Sequence, residues 1–206
     1  MISKDIYLAN PCKTYSIPYS KMKDFNNVSN VLIFHYESIS IDQLKTYQVQ
    51  TFFRLKHDLK KLNPGVYKTE EINIEKDIDE LIMMINECYQ HEKIQVKHDD
   101  FIELTHKDTF DASLWLKIVE NNKMVATIIG CIDTDLKEGW IEWVQVLPSF
   151  QGRGYGKSII NSLLYKMKDN ADFVTVSGHM DNVKDPEKIY RKCGFTGNDL
   201  WYICKK

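Results

Sequence analysis

A glycine-rich loop between an apolar run and an amphipathic helix constrains the fold more than any other part of the chain. The run Trp140–Leu147 is broken by Pro148, and the loop Gln151–Lys157 follows. Apolar residues then recur at helical spacing, at Ile159, Ile160, Leu163, Leu164 and Met167. Glycines permit positive φ and close backbone approach, and the N–H groups that begin a helix favour an anion. We therefore predict that residues 151–157, the glycine loop, bind a pyrophosphate group, with Arg153 and Lys157 adding positive charge.

Two other phosphate-binding loops do not fit this stretch. A Walker loop needs four residues between its first glycine and its Gly-Lys pair, whereas Gly152 and Gly156-Lys157 leave three. A dinucleotide fingerprint needs Gly-x-Gly-x-x-Gly in the first strand–helix unit, and here Gly152, Gly154 and Gly156 alternate late in the chain. A surface loop before an ordinary helix is the remaining alternative.

Three segments of the sequence, in the same order along the chain, resemble the GNAT superfamily of N-acetyltransferases. The glycine loop matches its Gln/Arg-x-x-Gly-x-Gly/Ala pattern, and Val144–Pro148 matches its Val-x-Val-x-Pro strand end. Farther on, Ile189–Phe195 resembles the family's Leu-Tyr-x-x-x-Gly-Phe. The resemblance covers residues 65–206 and implies an α/β (α+β) fold of the GNAT type, with a mixed, mostly antiparallel central sheet flanked by helices.

The hydrophobic periodicity predicts elements in the same order, β-α-α-β-β-β-α-β-α-β, from residue 65 onward. The first strand is expected at Val66–Thr69, and a terminal strand pair is expected on either side of Gly197-Asn198. Asp185-Pro186 is expected to begin the last helix as N-cap and first-turn proline.

Residues 1–64 are predicted to form an N-terminal α/β extension of unassigned role, separated by the helix stop Asn63-Pro64-Gly65. Val31–Tyr36 predicts a strand. The spacing of Phe52, Leu55, Leu59 and Leu62 predicts a helix whose other face is basic.

The composition of the chain limits the cellular compartment and the binding partners that we expect for the protein. A net charge of −2 over 206 residues gives no drive toward nucleic acid or an anionic membrane. Five scattered cysteines without Cys-x-x-Cys spacing indicate a reducing, cytoplasmic setting and no metal site. No apolar run reaches membrane-spanning length. Oligomeric state stays open, with a homodimer as one expectation.

The resemblance assigns acetyl-coenzyme A (acetyl-CoA) binding to two strand and loop segments. The backbone of Val144, Gln145 and Val146 is implied to hold the pantetheine arm, although the valines also suit the core. The pyrophosphate is implied to lie against the following residues: Gln151, Gly152, Arg153, Gly154, Tyr155, Gly156, Lys157 and Ser158. Asn182 is implied to bond the arm, but Asp185-Pro186 adds one position relative to the family pattern.

Two residues are candidates for proton transfer. Glu142 is expected to share a strand face with Val144 and Val146 by alternation, and a carboxylate there can accept the proton of an ammonium. A solvent-facing or ion-paired role is its alternative. Tyr190 matches the family tyrosine beside the coenzyme A sulfur, where a phenol with a pKa of about 10 can protonate the thiolate. Core packing is its alternative.

These residues predict an N-acetyltransferase that moves acetyl directly from acetyl-CoA to a primary amine of a small molecule or peptide. A non-catalytic acyl-CoA binding or sensing module is the alternative, and turnover distinguishes the two. Four acidic residues indicate a cationic acceptor weakly, because charged runs are usually solvated: Asp99, Asp100, Glu103 and Asp133.

Overall fold

A computed structural model describes residues 2–22, 31–90, 94–182 and 185–205. It has a mixed α/β architecture with an eight-stranded sheet flanked by helices, which confirms the predicted fold class. Contacts divide the chain into two compact units. The terminal unit comprises Met1–Asp58 with Thr175–Lys206, and the central unit comprises Leu59–Val174.

The helices and strands of the described residues are numbered in chain order. In order they are α1 Lys4–Ala9, α2 Pro11–Thr14, β1 Val31–His35, α3 Ile41–Leu44, β2 Gln48–His57, β3 Glu70–Glu71, α4 Ile74–Cys88, α5 His98–Thr105, β4 Trp115–Glu120, β5 Lys123–Asp133, β6 Glu138–Val146, α6 Tyr155–Met167, β7 Phe173–His179, α7 Pro186–Lys192 and β8 Thr196–Lys205. From β3 onward this is the predicted order. No helix among the described residues is long and apolar enough to cross a membrane.

The central unit is built on four antiparallel strands in the order β6-β5-β4-β3. Asn121 and Asn122 both take positive φ in the β4–β5 hairpin, as a two-residue turn matched to strand twist requires. Helix α4 buries an apolar stripe in the core, as its helical spacing predicted. Helix α6 packs closely on β5, because a β carbon at Gly130 would lie only 2.7 Å from side-chain atoms of Leu163 and Met167.

Strand β6 carries a β-bulge at Glu142. Ile129 pairs with Trp143, whereas the next residue of β5, Gly130, pairs with Ile141, so Glu142 is the additional residue on β6. A bulge interrupts the alternation of side chains along a strand. The prediction that Glu142 shares a face with Val144 and Val146 assumed unbroken alternation from residue 142 to residue 146, so it stays a prediction.

The terminal unit joins both ends of the chain in one set of strands, in the order β1-β8-β2-β7. Strand β8 pairs antiparallel with β1 on one side and with β2 on the other. The helix predicted over residues 52–62 was wrong, since Gln48–His57 is a strand. Its consecutive residues Phe53, Arg54 and Leu55 are all buried, and a strand covered on both faces shows no two-residue alternation.

Two further strand predictions need correction. Residues 66–69 are not a strand; the first strand of the central unit is Glu70–Glu71. The predicted terminal pair is the single strand β8, because Gly197, with φ of 116°, lies where the register between β2 and β8 shifts. Asp185 precedes α7 as predicted, but its side chain makes no capping bond. The division at residue 64 stays a prediction.

Candidate functional site

The glycine loop leads from the end of β6 into α6 with the backbone geometry of an anion site. Gly152 and Gly154 have φ of 79° and 89°, which side-chain-bearing residues rarely adopt. Gly154 is the N-cap of α6, and no side chain caps the helix. A β carbon at Gly152 would meet nothing within 4 Å, so a ligand can approach the backbone. The loop therefore fits the pyrophosphate of a bound cofactor through the N–H groups of the first helical turn.

Side chains of the loop also secure its shape. Gln151 donates from Nε2 to the carbonyl of Val146 at 3.0 Å, which links the loop to the end of β6. Arg153 donates to the carbonyl of Ser149 at 3.2 Å, and its guanidinium lies 4.9 Å from the centre of the Phe150 ring. Arg153 is half exposed and lies 3.9 Å from a carboxylate oxygen of Glu120, so its charge is shared between that carboxylate and solvent or a bound anion. Lys157 is exposed on the first turn of α6.

Two residues that the sequence did not reveal as part of the site, Tyr67 and Glu120, contact the beginning of α6. Tyr155 is buried, and its hydroxyl donates to Glu120, which raises the pKa of Tyr155. The ring of Tyr67 lies 4.4 Å from that of Tyr155. Tyr67 also donates its N–H to Oγ of Ser158 at 2.9 Å. The side-chain oxygens of Tyr155 and Ser158 thus have protein partners. No local pattern marks Tyr67 or Glu120, because both reach the loop through tertiary contacts.

The end of β6 offers backbone groups on the side away from β5. The N–H of Leu147 donates to Val125 of β5, so by antiparallel alternation the backbone of Val144 and Val146 is directed away from β5. The carbonyl of Val144 accepts from the hydroxyl of Tyr89 at 3.2 Å. Gln145 is buried and donates to Thr127, so its side chain is structural. The predicted pantetheine contacts of residues 144–146 stay predictions.

Glu142 lies half-buried at the bulge of β6. Its Oε2 accepts a hydrogen bond from Nε1 of Trp140 at 2.9 Å, which orients the carboxylate. The neighbouring Trp143 meets the ring of Tyr89 edge-on at 5.4 Å. A bulge re-aims the side chains around it, and bulges often accompany active sites. The position agrees with a carboxylate placed for proton transfer, and the role of Glu142 stays a prediction.

Tyr190 and Asn182 belong to the terminal unit. Tyr190 is 5% exposed on α7, and its ring lies 6.0 Å from that of Phe53 and 5.6 Å from that of Phe195. Asn182 is half-buried before α7, and its carbonyl accepts from the N–H of Asp185 at 2.9 Å. Residues 183 and 184, between Asn182 and α7, lie outside the described residues. The roles of Tyr190 and Asn182 stay predictions.

The acidic residues predicted near an acceptor are used partly within the protein. Asp100 accepts from the N–H of Lys97, and Asp133 accepts from the N–H groups of Asp135 and Leu136. Asp99 and Glu103 are exposed on α5. Among the described residues, no group of three or more His, Cys, Asp or Glu is placed to hold a metal ion.

The fold has counterparts among solved structures. A GCN5-related N-acetyltransferase from Sphaerobacter thermophilus superimposes with a TM-score of 0.69 at 17% identity, over 85% of this chain and 59% of that one. The ribosomal-protein-S18-alanine N-acetyltransferase from Escherichia coli gives a TM-score of 0.53 at 14% identity, over 66% of this chain and 90% of that one. These likenesses establish a shared fold.

Sequence comparison supplies the family. The Acetyltransferase (GNAT) family matches residues 78–195, more than half of the chain. A curated relative, the ribosomal protein bS18 alanine N-acetyltransferase of Haemophilus influenzae, is 28% identical over 85 residues, which is 41% of this chain and 56% of that enzyme's length. The fold defines an acetyltransferase-type architecture, and the chain belongs to the GNAT acetyltransferase family.

Proposed function

We propose that the protein transfers the acetyl group of acetyl-CoA directly to a primary amine of a small molecule or peptide. The observation that carries the proposal is the uncapped N-terminus of α6 behind two positive-φ glycines, within the matched residues of an acetyltransferase family. Membership in that family implies acetyl-CoA as the acetyl donor. The glycine loop holds its pyrophosphate, and the backbone of Val144 and Val146, which is directed away from β5, orients its pantetheine arm.

Two protons have to move for the reaction to balance. The amine attacks as its neutral form, so its ammonium first loses a proton, and Glu142 accepts it directly or through water. The carbon–nitrogen bond forms as the carbon–sulfur bond breaks, and the leaving thiolate takes a proton from the hydroxyl of Tyr190. The nitrogen loses its second proton as the amide forms, and that proton, passed through water, restores the Tyr190 hydroxyl, while Glu142 releases its proton to solvent. Backbone N–H groups at the end of β6 polarise the thioester carbonyl. No covalent enzyme intermediate is needed.

The acceptor is proposed only as a class. The named relative in Haemophilus influenzae acts on an alanine of a ribosomal protein, which supports testing peptide N-terminal amines first. Asp99 and Glu103, both exposed on α5, support cationic small amines as a second group. Fold alone does not specify the acceptor, because substrate choice depends on the side chains of the pocket.

An acceptor panel with mass detection tests the proposal. Acetyl-CoA is incubated with peptides that begin with different residues, including alanine, and with small mono- and polyamines, and products are sought at the mass of one added acetyl group. Acetylation of any amine supports transferase activity. Coenzyme A binding without any product across the panel would favour the non-catalytic acyl-CoA binding module.

The pH dependence of a Glu142→Gln variant tests the base. The amide keeps an oxygen that can accept from Trp140, so the bulge should persist. Amine acceptors with a pKa of about 10.4 arrive protonated at neutral pH, so turnover should fall most at low pH and least where the acceptor is already deprotonated. A raised Michaelis constant with unchanged turnover at saturation would show that Glu142 only binds the acceptor.

A further inference from the structure

Tyr67 contacts the glycine loop at two residues and α6 at the residue that follows the loop, although it lies outside the family-matched residues 78–195. Its hydroxyl donates to the carbonyl of Arg153 at 2.8 Å, and its N–H donates to Oγ of Ser158 at 2.9 Å. Its ring lies 4.4 Å from the ring of Tyr155. One residue therefore binds the loop backbone, the first turn of α6 and a residue of the second turn.

The approach of this segment to α6 is close. A β carbon at Gly65 would lie 2.2 Å from Oγ of Ser162 and 2.5 Å from the carbonyl oxygen of Ser158, so only glycine fits there. Gly65 thus lets the chain lie directly on α6, two residues before Tyr67. Tyr67 is 36% exposed, so its hydroxyl contributes little to the core.

The bond to the Arg153 carbonyl fixes the orientation of one peptide group. The chain has no cis peptide bonds among its described residues, and in a planar trans peptide the C=O and the following N–H point in opposite directions. Because the Arg153 carbonyl points to Tyr67, the N–H of Gly154 points away from Tyr67. Gly154 has no side chain to resist rotation, so without that bond the peptide could turn its carbonyl outward, where it would repel an anion.

We propose that Tyr67 is a positioning residue for pyrophosphate binding, which holds the Arg153–Gly154 peptide with its N–H toward the ligand. The inference rests on the proposed function, because it concerns the same glycine loop. As a positioning residue, Tyr67 needs no contact with the acetyl group or the amine. Its hydroxyl acts on the ligand through the peptide that it orients.

Tyr67→Phe isolates the hydroxyl, since the ring and the backbone N–H remain. The matched control is Tyr165→Phe, which removes a phenol hydroxyl from a half-exposed tyrosine of α6 whose ring instead contacts Lys168. Two ligands are compared by calorimetry or turnover: coenzyme A, which carries the pyrophosphate, and S-acetylpantetheine, which lacks it. Melting temperatures of both variants are measured alongside.

We expect Tyr67→Phe to bind coenzyme A roughly 3- to 10-fold more weakly than wild type, because one positioning hydrogen bond is lost. The Michaelis constant for S-acetylpantetheine should be unchanged, and Tyr165→Phe should match wild type with both compounds. An unchanged coenzyme A affinity, or equal losses with both compounds, would overturn the positioning role while the proposed function stands. Wild-type protein that binds no coenzyme A would instead overturn the proposed function and this inference together.

Discussion

The central and terminal units organise their polar groups in opposite ways. In the central unit the glycine loop directs backbone N–H groups outward, with two positive-φ glycines and an uncapped helix. In the terminal unit Arg54 is 1% exposed and donates inward, to the hydroxyls of Tyr7, Thr175 and Ser177 and to the carbonyl of Ser16. The first arrangement leaves hydrogen-bonding capacity for a ligand, whereas the second uses that capacity to connect distant parts of the chain.

This contrast predicts that substitutions in one region mainly affect ligand binding and that substitutions in the other mainly affect stability. The glycine N-cap of α6 forgoes only about a few tenths of a kcal/mol relative to a capping side chain, and it leaves the N–H groups of the first turn available to a bound anion. A buried guanidinium is costly to desolvate and contributes only when its hydrogen bonds are complete. Substitutions in the loop should therefore change ligand affinity first, and substitutions around Arg54 should change the free energy of unfolding first.

The largest effect is expected for Gly154→Glu in the glycine loop. It places a side chain and a negative charge where the phosphates are proposed to bind, so calorimetry should detect no coenzyme A binding while circular dichroism shows a folded protein. Gly154→Ala is the matched control, because it shares the cost of positive φ, about 1–3 kcal/mol, without the charge. Unchanged affinity in folded Gly154→Glu would remove the loop from the binding site.

Tyr190→Phe tests whether the terminal unit also contributes to chemistry. The variant keeps the ring between Phe53 and Phe195, so the melting temperature should change little. Turnover should fall about 10²–10⁴-fold if the hydroxyl is the general acid. Loss of stability in step with loss of rate would instead assign Tyr190 to core packing, and wild-type turnover in a chemistry-limited assay would exclude it from the mechanism.

Arg54→Met tests the opposite side of the comparison. Methionine fills a similar volume but leaves hydroxyl and carbonyl acceptors without their donor, so the free energy of unfolding should fall by about 2–4 kcal/mol in chemical denaturation. Coenzyme A affinity, measured far below the melting temperature, should change much less. Lys45→Met, at an exposed ion pair with Asp42, serves as control and should stay within about 0.5 kcal/mol of wild type. Comparable losses in both variants would contradict the role given to Arg54.

The smallest expected effect concerns His57 at the end of β2. Burial lowers the pKa of His57 below the ordinary histidine value of about 6.5. The unfolded chain therefore binds the proton first, so this contribution to stability is complete above pH 6.5 and is lost as pH falls toward the folded-state pKa. The slope cannot exceed about 1.4 kcal/mol per pH unit for one proton. The free energy of unfolding, measured by chemical denaturation from pH 7.5 to 5.5, should fall less steeply in His57→Gln than in wild type. Identical slopes would show that His57 does not contribute to this pH dependence.

The sequence predicted the central unit better because its signals are local. The glycine loop, the Asn121-Asn122 turn and α4 each depend on residues close together in the chain, and their structures follow the pattern. The strand Gln48–His57 depends instead on pairing with Thr196–Lys205. Its apolar residues fell by chance at helical spacing, and the buried Arg54 resembled part of an exposed basic face.

Within the candidate site, too, residues of a contiguous motif were predicted, whereas residues that approach through tertiary contacts were not. Gln151, Gly152 and Gly154 lie in the predicted loop because a contiguous motif specifies them. Tyr67 and Glu120 approach the loop from 86 and 35 residues away, at Arg153 and Tyr155 respectively, and no spacing rule connects them. The bulge at Glu142 depends on where β5 and β6 lose register, which a single strand sequence does not encode.

The buried cysteines have a practical consequence for measuring activity. All five are thiols with no disulfide, and each is buried. Acetyl transfer liberates the thiol of coenzyme A, which a chromogenic disulfide reagent titrates quickly in solution. Because reagent reaches a buried thiol only when the fold opens, the native protein should add little colour of its own. A continuous optical assay can therefore follow every variant described above, and a rising blank would itself signal unfolding.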